Sequence, residues 1–376
     1  MIKKITSHFL VILSSSVFLL ISGHFLFYLI LLDVLSFLSV FPFILTISFL
    51  ACFFVSIFLA QFLVSRFDNL YSSTYYFFIA SLLGIFWQSV LVYFVLISAR
   101  FFFSFFFVID PIIFAWSFLG LTAFLSAYGF RNAFSPRIKE VDVEIQDLPD
   151  FWDRKKIVHL SDIHLGAVYR HRFLTKVSKL VDNIKPELVL ITGDLFDGTD
   201  GDFSEAGKQL LQLHAPLGVY FIYGNHENYL GRLEVARHLL GSGIEILDDR
   251  LTKINGLQII GISYPKEGTR HFDLAKKIQF LSGSKLDSPS ILMFHEPIQF
   301  KEVSQLGVNI YLAGHTHRGQ MFPFNLITKI IYHGYSFGIR KFQQMTAIIS
   351  TGVGTWGPPC RTLSRSEIIA ITLLKK

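Results

Sequence analysis

Cysteine is almost missing from this chain: Cys52 and Cys360 are the only two among 376 residues. One lies in an apolar stretch and the other in a late loop, and no CxxC occurs. A disulfide framework and a zinc–thiolate site are thereby excluded. Charge is scarce as well, but only locally. Residues 1–130 hold Lys3, Lys4, Arg66 and Arg100 against Asp33, Asp68 and Asp110, so nearly all of the 34 Lys and Arg and 28 Asp and Glu come later. Blocks of basic residues interleaved with aromatics are lacking, so the formal charge of +6 marks no nucleic-acid surface. No internal repeat and no low-complexity linker interrupts the chain.

What the first 130 residues have instead is long apolar runs. Crossing a bilayer takes ~20 apolar residues in a helix. Four stretches are long enough, at about 9–31, 40–64, 75–99 and 111–130, so residues 1–130 read as a multi-pass transmembrane domain. Lys3 and Lys4 resemble the start of a signal peptide, but the length of the first run and the three that follow favour an uncleaved anchor. Four crossings put Lys3, Lys4, Arg66, Arg131, Arg137 and Lys139 on one side and only Arg100 on the other. Positive residues favour the cytoplasmic side, which places the later, soluble part in the cytoplasm of a cell-membrane protein. The piece FFFSFFFVID, 101–110, is apolar too and ends at Asp110-Pro111; it lies along the interface or lengthens the fourth helix, and as a fifth crossing it would reverse that topology. His8, His24 and Asp33 sit near helix ends or alone, so an anchor fits better than a transporter.

Residues 131–154 read as a linker and entry segment, and 155–376 as one soluble domain. There the hydrophobic period switches repeatedly. KKIVHLSD, ELVLITGD, GVYFIYGNHE, SPSILMFHEP and VNIYLAGHTH read as buried strands. HRFLTKVSKLVDNIK, FSEAGKQLLQLH, LEVARHLLGSG, FDLAKKIQFLSG and IQFKEVSQLG have helical spacing. LTKINGLQIIGISY reads as a hairpin turning at Asn255-Gly256, and SFGIRKF, QQMTAIIST and SEIIAITLL add late strands. This is α/β alternation with an antiparallel share.

Each of the five buried strands runs straight into a polar cluster. The clusters hold Asp162 and His164, then Asp194 and Asp197, then Asn225 and His226, then His295, then His315 and His317. In α/β sheets, sites gather beyond the carboxyl ends of strands. Carboxylate, imidazole and one amide oxygen, without thiolate, suit manganese, zinc or iron. Neighbours two apart in an extended segment point to opposite faces. Asp162 and His164 therefore reach one ion only if the chain turns after the strand. His315 and His317 either turn likewise or serve two different ions.

DIHLG, GDLFDG, GNHE, HEP and GHTH, in this order, resemble the calcineurin-like metallophosphoesterase family over about residues 155–374. The tail STGVGTWGPPCR…SEI is similar to its small bacterial branch, in which several N-terminal crossings are familiar. The resemblance implies a four-layer αββα sandwich and hydrolysis of phosphate mono- or diesters. It implies two divalent cations, one held by Asp162, His164 and His317, the other by Asn225, His295 and His315, with Asp194 bridging. It further implies that His226 protonates the leaving group and that Asp197 orients His226 by accepting its hydrogen bond. Two metals ~3.5–4 Å apart clamp the attacking and leaving oxygens and make a hydroxide nucleophile of the water between them. One departure is Gly198, where the protein-phosphatase branch has arginine; another is Arg318 after the last histidine, a phosphate contact or a solvent-facing residue.

The favoured substrate is a phosphodiester or pyrophosphate on a membrane lipid, with the pyrophosphate of a lipid A precursor as a family precedent. A soluble phosphoester and a metal-holding sensor without turnover are the rival readings. His159 is expected to be a core histidine, and Glu227 and Glu296 to be structural. The stretch MFPFNLITKIIYHGY, directly after the last candidate ligand, is either an apolar rim meeting the bilayer or a loop packed on the sheet.

Overall fold

The computed structural model describes residues 43–67, 69–198, 209–266, 269, 272–283, 286 and 288–376. The crossing expected at 9–31 lies outside these. The chain divides into two compact units, one comprising Met1–Leu63 and Thr74–Ala127 and the other Val64–Ser73 and Tyr128–Lys376.

In the first unit the apolar runs are helices: α1 (Phe43–Arg66), α2 (Leu70–Phe103) and most of α3 (Pro111–Phe134). Among the described residues α2 and α3 are long and apolar enough to cross a membrane. Small packing clusters form around Phe53, Ala60 and Ile79, and around Val90, Val92, Phe114, Ala115 and Phe118. Large apolar side chains such as Phe62, Phe78, Phe94 and Trp116 are exposed, as suits helices whose solvent is lipid. The piece 101–110 makes no separate helix: 101–103 finish α2 and the rest turns toward α3. Asp110 caps α3, accepting from the Ile112 N–H at 2.7 Å, with Pro111 at the first helical position where its missing N–H is harmless.

The second unit is built on two six-stranded sheets. The first has the order β1 (Arg137–Ile145), β12 (Glu367–Lys375), β2 (Lys156–Leu160), β3 (Leu188–Ile191), β4 (Val219–Phe221), β5 (Ile244–Ile246). The second has the order β10 (Gly338–Phe342), β11 (Met345–Ile349), β9 (Ile310–Ala313), β8 (Ser290–Phe294), β7 (Leu257–Ile262), β6 (Arg250–Ile254). β2 to β5 run parallel, as do β7, β8, β9 and β11, so two sets of carboxyl ends are presented together.

Alternation along the strands makes the layers. Ile157, Leu188 and Leu190 share a core with Ile259, Ile291, Met293, Ile310 and Leu312 of the other sheet. Their neighbours Val158, Leu160, Val189 and Ile191 face outward onto Leu174, Val177 and Val181 of α4 (His171–Ile184). Two short helices, α5 (Asn225–Leu230) and α6 (Arg232–Leu239), follow β4. On the other outer face Ile260, Leu292, Phe294 and Tyr311 pack on Leu274 and Ile278 of α7 (Leu274–Ser282) and on Phe300 and Val303 of α8 (Phe300–Ser304). Helix, sheet, sheet and helix are the expected four layers. Strands buried on both faces read as continuous apolar runs, which is why they were visible.

Two details fill in the segments around these layers. The stretch read as a linker carries β1, whose Val141, Val143 and Ile145 are buried and which pairs in parallel with β12 from Arg137↔Glu367 to Ile145↔Lys375. The rim stretch contains a helix that comes between α8 and β10, Phe324–Ile331. The Asn255-Gly256 hairpin is present, both residues having positive φ (45° and 86°), as a tight turn between β6 and β7 requires.

His159 is fully buried, with Nε2 2.8 Å from Thr192 Oγ1, and burial lowers its pKa from 6.5 to about 3. The unfolded chain takes up this proton below its ordinary pKa, while the folded chain resists until far lower pH. The stabilisation is therefore complete above the ordinary value and is lost as pH falls toward the folded one. His159→Gln keeps a hydrogen-bonding amide near Thr192 but removes the titration. Its melting temperature should fall less than the parent's between about pH 7 and pH 4, as read by thermal unfolding.

Candidate metal centre

Five loops leave the carboxyl ends of β2, β3, β4, β8 and β9 and meet. The backbone turns at the polar residues themselves: Asp162, His164, Asp194, His315 and His317 all have φ between 47° and 69°. This left-handed conformation costs L-residues roughly 1–2 kcal/mol and collects at functional sites. Here it breaks the strand's alternation, so that residues two apart face the same way. Two glycines permit the approach. A Cβ on Gly224 would stand 2.1 Å from Asp194 Oδ1, and one on Gly314 would stand 1.9 Å from Ser161 Oγ.

Two groups share the pocket with a third between them. Asp162, His164 and His317 each offer a donor atom within 4.8 Å of the others, as do Asp194, His295 and His315, and also His164, Asp194 and His226. His315 and His317 thus divide between the two outer groups. Asn225 Oδ1 lies 3.1 Å from His295 Nε2, which itself lies 3.1 Å from Asp194 Oδ2. Nε2 of His317 is 3.0 Å from Nε2 of His164 and 3.4 Å from Asp162 Oδ1.

The rings are held from behind. A carbonyl only accepts, so His295 Nδ1–H donates to Thr192 O at 2.7 Å, which turns Nε2 toward Asp194. His226 Nδ1–H likewise donates to the Asp197 main-chain carbonyl at 2.5 Å, with Nε2 3.9 Å from Asp194 Oδ2. Asp197 thus accepts a hydrogen bond from His226 through its main-chain carbonyl, while its carboxylate stands 3.4 Å from His164 Nδ1. Gly198 has a steric reason too: a Cβ there would lie 2.8 Å from His226 Nδ1.

Electrostatics binds the set together. Burial alone would raise the Asp194 carboxyl, but His295, His226 and His164 overcome this and hold it well below the usual range. Burial also opposes charge on His295, yet Asp194 pushes its pKa up to about 10. His315, lowered to about 3 by burial and then by His295, stays neutral, and so does His317. Neutral His315 and His317 and ionised Asp194 are in the donor states that a hard or borderline divalent cation needs, whereas His295 would have to give up a proton when a cation binds. With no thiolate, and with oxygen and ring-nitrogen atoms of Asp162, His164, Asp194, His295, His315 and His317 gathered within reach of one another, the residues fit such cations.

Three further groups support the site. Glu227 is fully buried, and its carboxylate accepts from the N–H of Asp194 (3.0 Å), Phe196 (3.1 Å) and Gly224 (2.7 Å). Burial raises its pKa to about 7. Arg361, fully buried, donates to His317 Nδ1 at 2.9 Å, to Ser364 Oγ at 2.8 Å and to the Gly354 carbonyl at 3.1 Å. Tyr264 and Tyr332 stand beside His315, ring centroids 6.0 and 6.1 Å away, and the Tyr332 hydroxyl donates to Glu296 at 3.2 Å. Arg318 lies over the Phe337 ring at 3.9 Å.

A family model described as calcineurin-like phosphoesterase matches residues 155–319. A metallophosphoesterase of Campylobacter jejuni is 33% identical over 271 residues, which cover 70% of this chain and 71% of that one. The chain belongs to the calcineurin-like phosphoesterase family. A Helicobacter pylori metallophosphoesterase is 31% identical, covering 69% of this chain and 70% of its own. A Danio rerio transmembrane protein with a metallophosphoesterase domain is 32% identical over 67% of this chain, which spans only 61% of that relative. The phosphoesterase unit therefore carries an intact His/Asp cluster of the two-metal kind on a chain with apolar spans.

Two substitutions probe the supporting groups. Glu227→Ala strands three buried N–H donors and should destabilise the unit by roughly 3 kcal/mol or more, read from denaturant unfolding. Arg361→Lys keeps the charge but loses the planar fork; affinity for manganese, measured by competition with a chelating dye, should drop ~10–100-fold while the melting temperature changes little.

Proposed function

We propose that the chain is a membrane-anchored phosphoesterase that cleaves phosphodiester or pyrophosphate bonds of a lipid. The convergence of Asp162, His164, Asp194, Asn225, His295, His315 and His317 on one buried pocket carries this reading. Asp162, His164 and His317 would hold one divalent cation and Asn225, His295 and His315 the other, with Asp194 shared. Manganese, zinc and iron all suit these donors. When bound, such cations neutralise phosphoryl charge and lower the pKa of water.

The chain's own residues do the rest. His226 keeps Nε2 free at the pocket while Nδ1 is tied to Asp197, so it is placed to give a proton to the departing oxygen. Gly198 leaves its place without a phosphate-clamping arginine, which argues against phosphoproteins as substrates. The apolar spans restrict the search to the membrane plane, which favours a lipid-borne phosphoester. Arg66 and Arg131, Arg137 and Lys139 support a cytosolic location for the phosphoesterase unit.

The full chain in liposomes with manganese should hydrolyse bis-p-nitrophenyl phosphate, and chelation should abolish the rate. Asp194→Ala should lower it by at least ~100-fold. His226→Ala should cost ~100-fold or more on a diester with a poor alkoxide leaving group, and far less on the nitrophenyl ester, whose leaving group needs no proton. Manganese binding without any turnover would instead establish a metal-holding sensor.

A further inference from the structure

The helix Phe324–Ile331, α9, is turned inside out relative to an ordinary surface helix. None of its residues is buried. Phe324, Leu326, Ile327, Ile330 and Ile331 are exposed, Ile330 by 74%, and Phe322 just before them is exposed as well. The polar Asn325 and Thr328 are the less exposed positions. A Cβ on Gly319 would stand 2.4 Å from the Asn325 N, so the start of the helix is pressed against the turn that carries His317. Water gives no reason to display such a face. The helix is also outside the stretch 155–319 that the family model matches.

A second apolar feature grows from the same root. Trp356 is 62% exposed, and its loop is clamped by Gln320, whose Nε2 donates to Trp356 O at 3.0 Å and whose Oε1 accepts from Trp356 N at 2.8 Å. The Gln320 carbonyl accepts from Thr362 N and Leu363 N, and Leu363 is exposed too. The same loop holds the end of α3: Arg361 N donates to Gly129 O at 3.0 Å, and Asn132 Nδ2 donates to Arg361 O at 3.0 Å. Helix α3 is one of the two that can cross a bilayer. The apolar display is therefore continuous, through one loop, with the end of a spanning helix.

Charge names the partner. No acidic residue occurs between Glu302 and Glu367; within that stretch Lys329 lies on the helix, Arg318 in the turn before it and Arg365 just after Leu363. Exposed isoleucine, leucine and phenylalanine, an interfacial tryptophan and basic residues without acids form the chemical signature of a surface that lies in the headgroup layer of an anionic membrane. A second protein copy would not require this one-sided charge.

We propose that α9 and the Trp356 loop form a docking surface that inserts its apolar face into the interfacial layer of an anionic bilayer. Docking stands apart from turnover. Its consequence for substrate rests on the function proposed above: a lipid-borne phosphoester would reach the pocket from the headgroup layer, past His317 and the turn that leads into α9, without leaving the membrane.

The test uses the full chain with Cys52→Ser, the buried Cys360 being retained. An environment-sensitive fluorophore is placed at Ile330→Cys, or, as control, at Gln343→Cys, an exposed position at the opposite end of β10 and β11. Both are reconstituted in phosphatidylglycerol vesicles containing a lipid with a nitroxide at the upper acyl chain. The Ile330 label should be blue-shifted and quenched at least about threefold more than the Gln343 label, less so in phosphatidylcholine alone. Equal quenching at the two positions overturns the proposal. So does efficient cross-linking of Ile330→Cys between copies, which would assign the face to a second chain. For the substrate, Ile330→Ser with Ile331→Ser should slow hydrolysis of a vesicle-borne phosphodiester about tenfold and leave the soluble nitrophenyl ester unchanged. Equal loss on both esters would make the helix a mere support of the site. Quenching with no hydrolysis at all would leave docking standing and remove the phosphoesterase proposal.

Discussion

Burying Asp194 is the constraint on which the phosphoesterase unit depends. A carboxylate removed from water costs several kcal/mol unless it is paired and hydrogen-bonded. Asp194 meets that demand on two sides. His295, His164 and His226 surround its oxygens, while Glu227 fixes its backbone by accepting from the Asp194 N–H. Glu227 is itself a buried acid, carried by three N–H donors rather than by a cation. One negative group is thus set to attract positive charge and the other to hold the loops that position it. Removing either leaves partners for which no water is available.

The sheets make this convergence cheap in conformational terms. Parallel strands present their carboxyl ends together, so five loops begin in neighbouring places without long excursions. What remains is local: left-handed turns at Asp162, His164, Asp194, His315 and His317, and glycines at 224 and 314 that let backbone and side chain come closer than a Cβ would allow. The apolar core between the sheets, from Ile157 and Leu190 across to Ile291 and Leu312, supplies the stability against which that strain is held.

Much of this was legible because the informative features are local in sequence. Leu188–Ile191 is an unbroken apolar run that stops at Gly193-Asp194, and Ile310–Ala313 stops at Gly314-His315; pattern and cluster stand side by side. The hidden parts depend on distant partners. The alternation of Val141, Val143 and Ile145 was present, but β1 becomes a strand only by pairing with β12, over two hundred residues later. Glu227 adjoins a candidate ligand, and nothing in GNHE reveals that its carboxylate reaches back to backbone at 194 and 196. Arg361 sits among glycines and prolines in a segment with no period, and only folding brings it to His317. Helix α9 was left open between two readings for a related reason: apolar content alone does not say whether a stretch is packed or displayed, and the structure turns that content outward.

The segment around Arg361 changes how the anchor should be understood. A tether would end in a flexible connection, leaving the soluble unit indifferent to the helix that precedes it. Here the last residues of α3 belong to the unit's packing. Phe134 packs against Tyr169 and edge-on against Phe173, Ser366 Oγ donates to the Ala133 carbonyl at 2.8 Å, and a Cβ on Gly129 would meet Cys360 Sγ at 2.3 Å. Arg361, whose main chain is bonded to Gly129 and Asn132, has its guanidinium on His317. Two bonded steps therefore separate the end of an apolar helix from a residue of the pocket. A unit built this way cannot be cut free at residue 134 without exposing the packing of Tyr169 and loosening the loop that holds His317, so the last turns of α3 and the pocket belong to one folded unit.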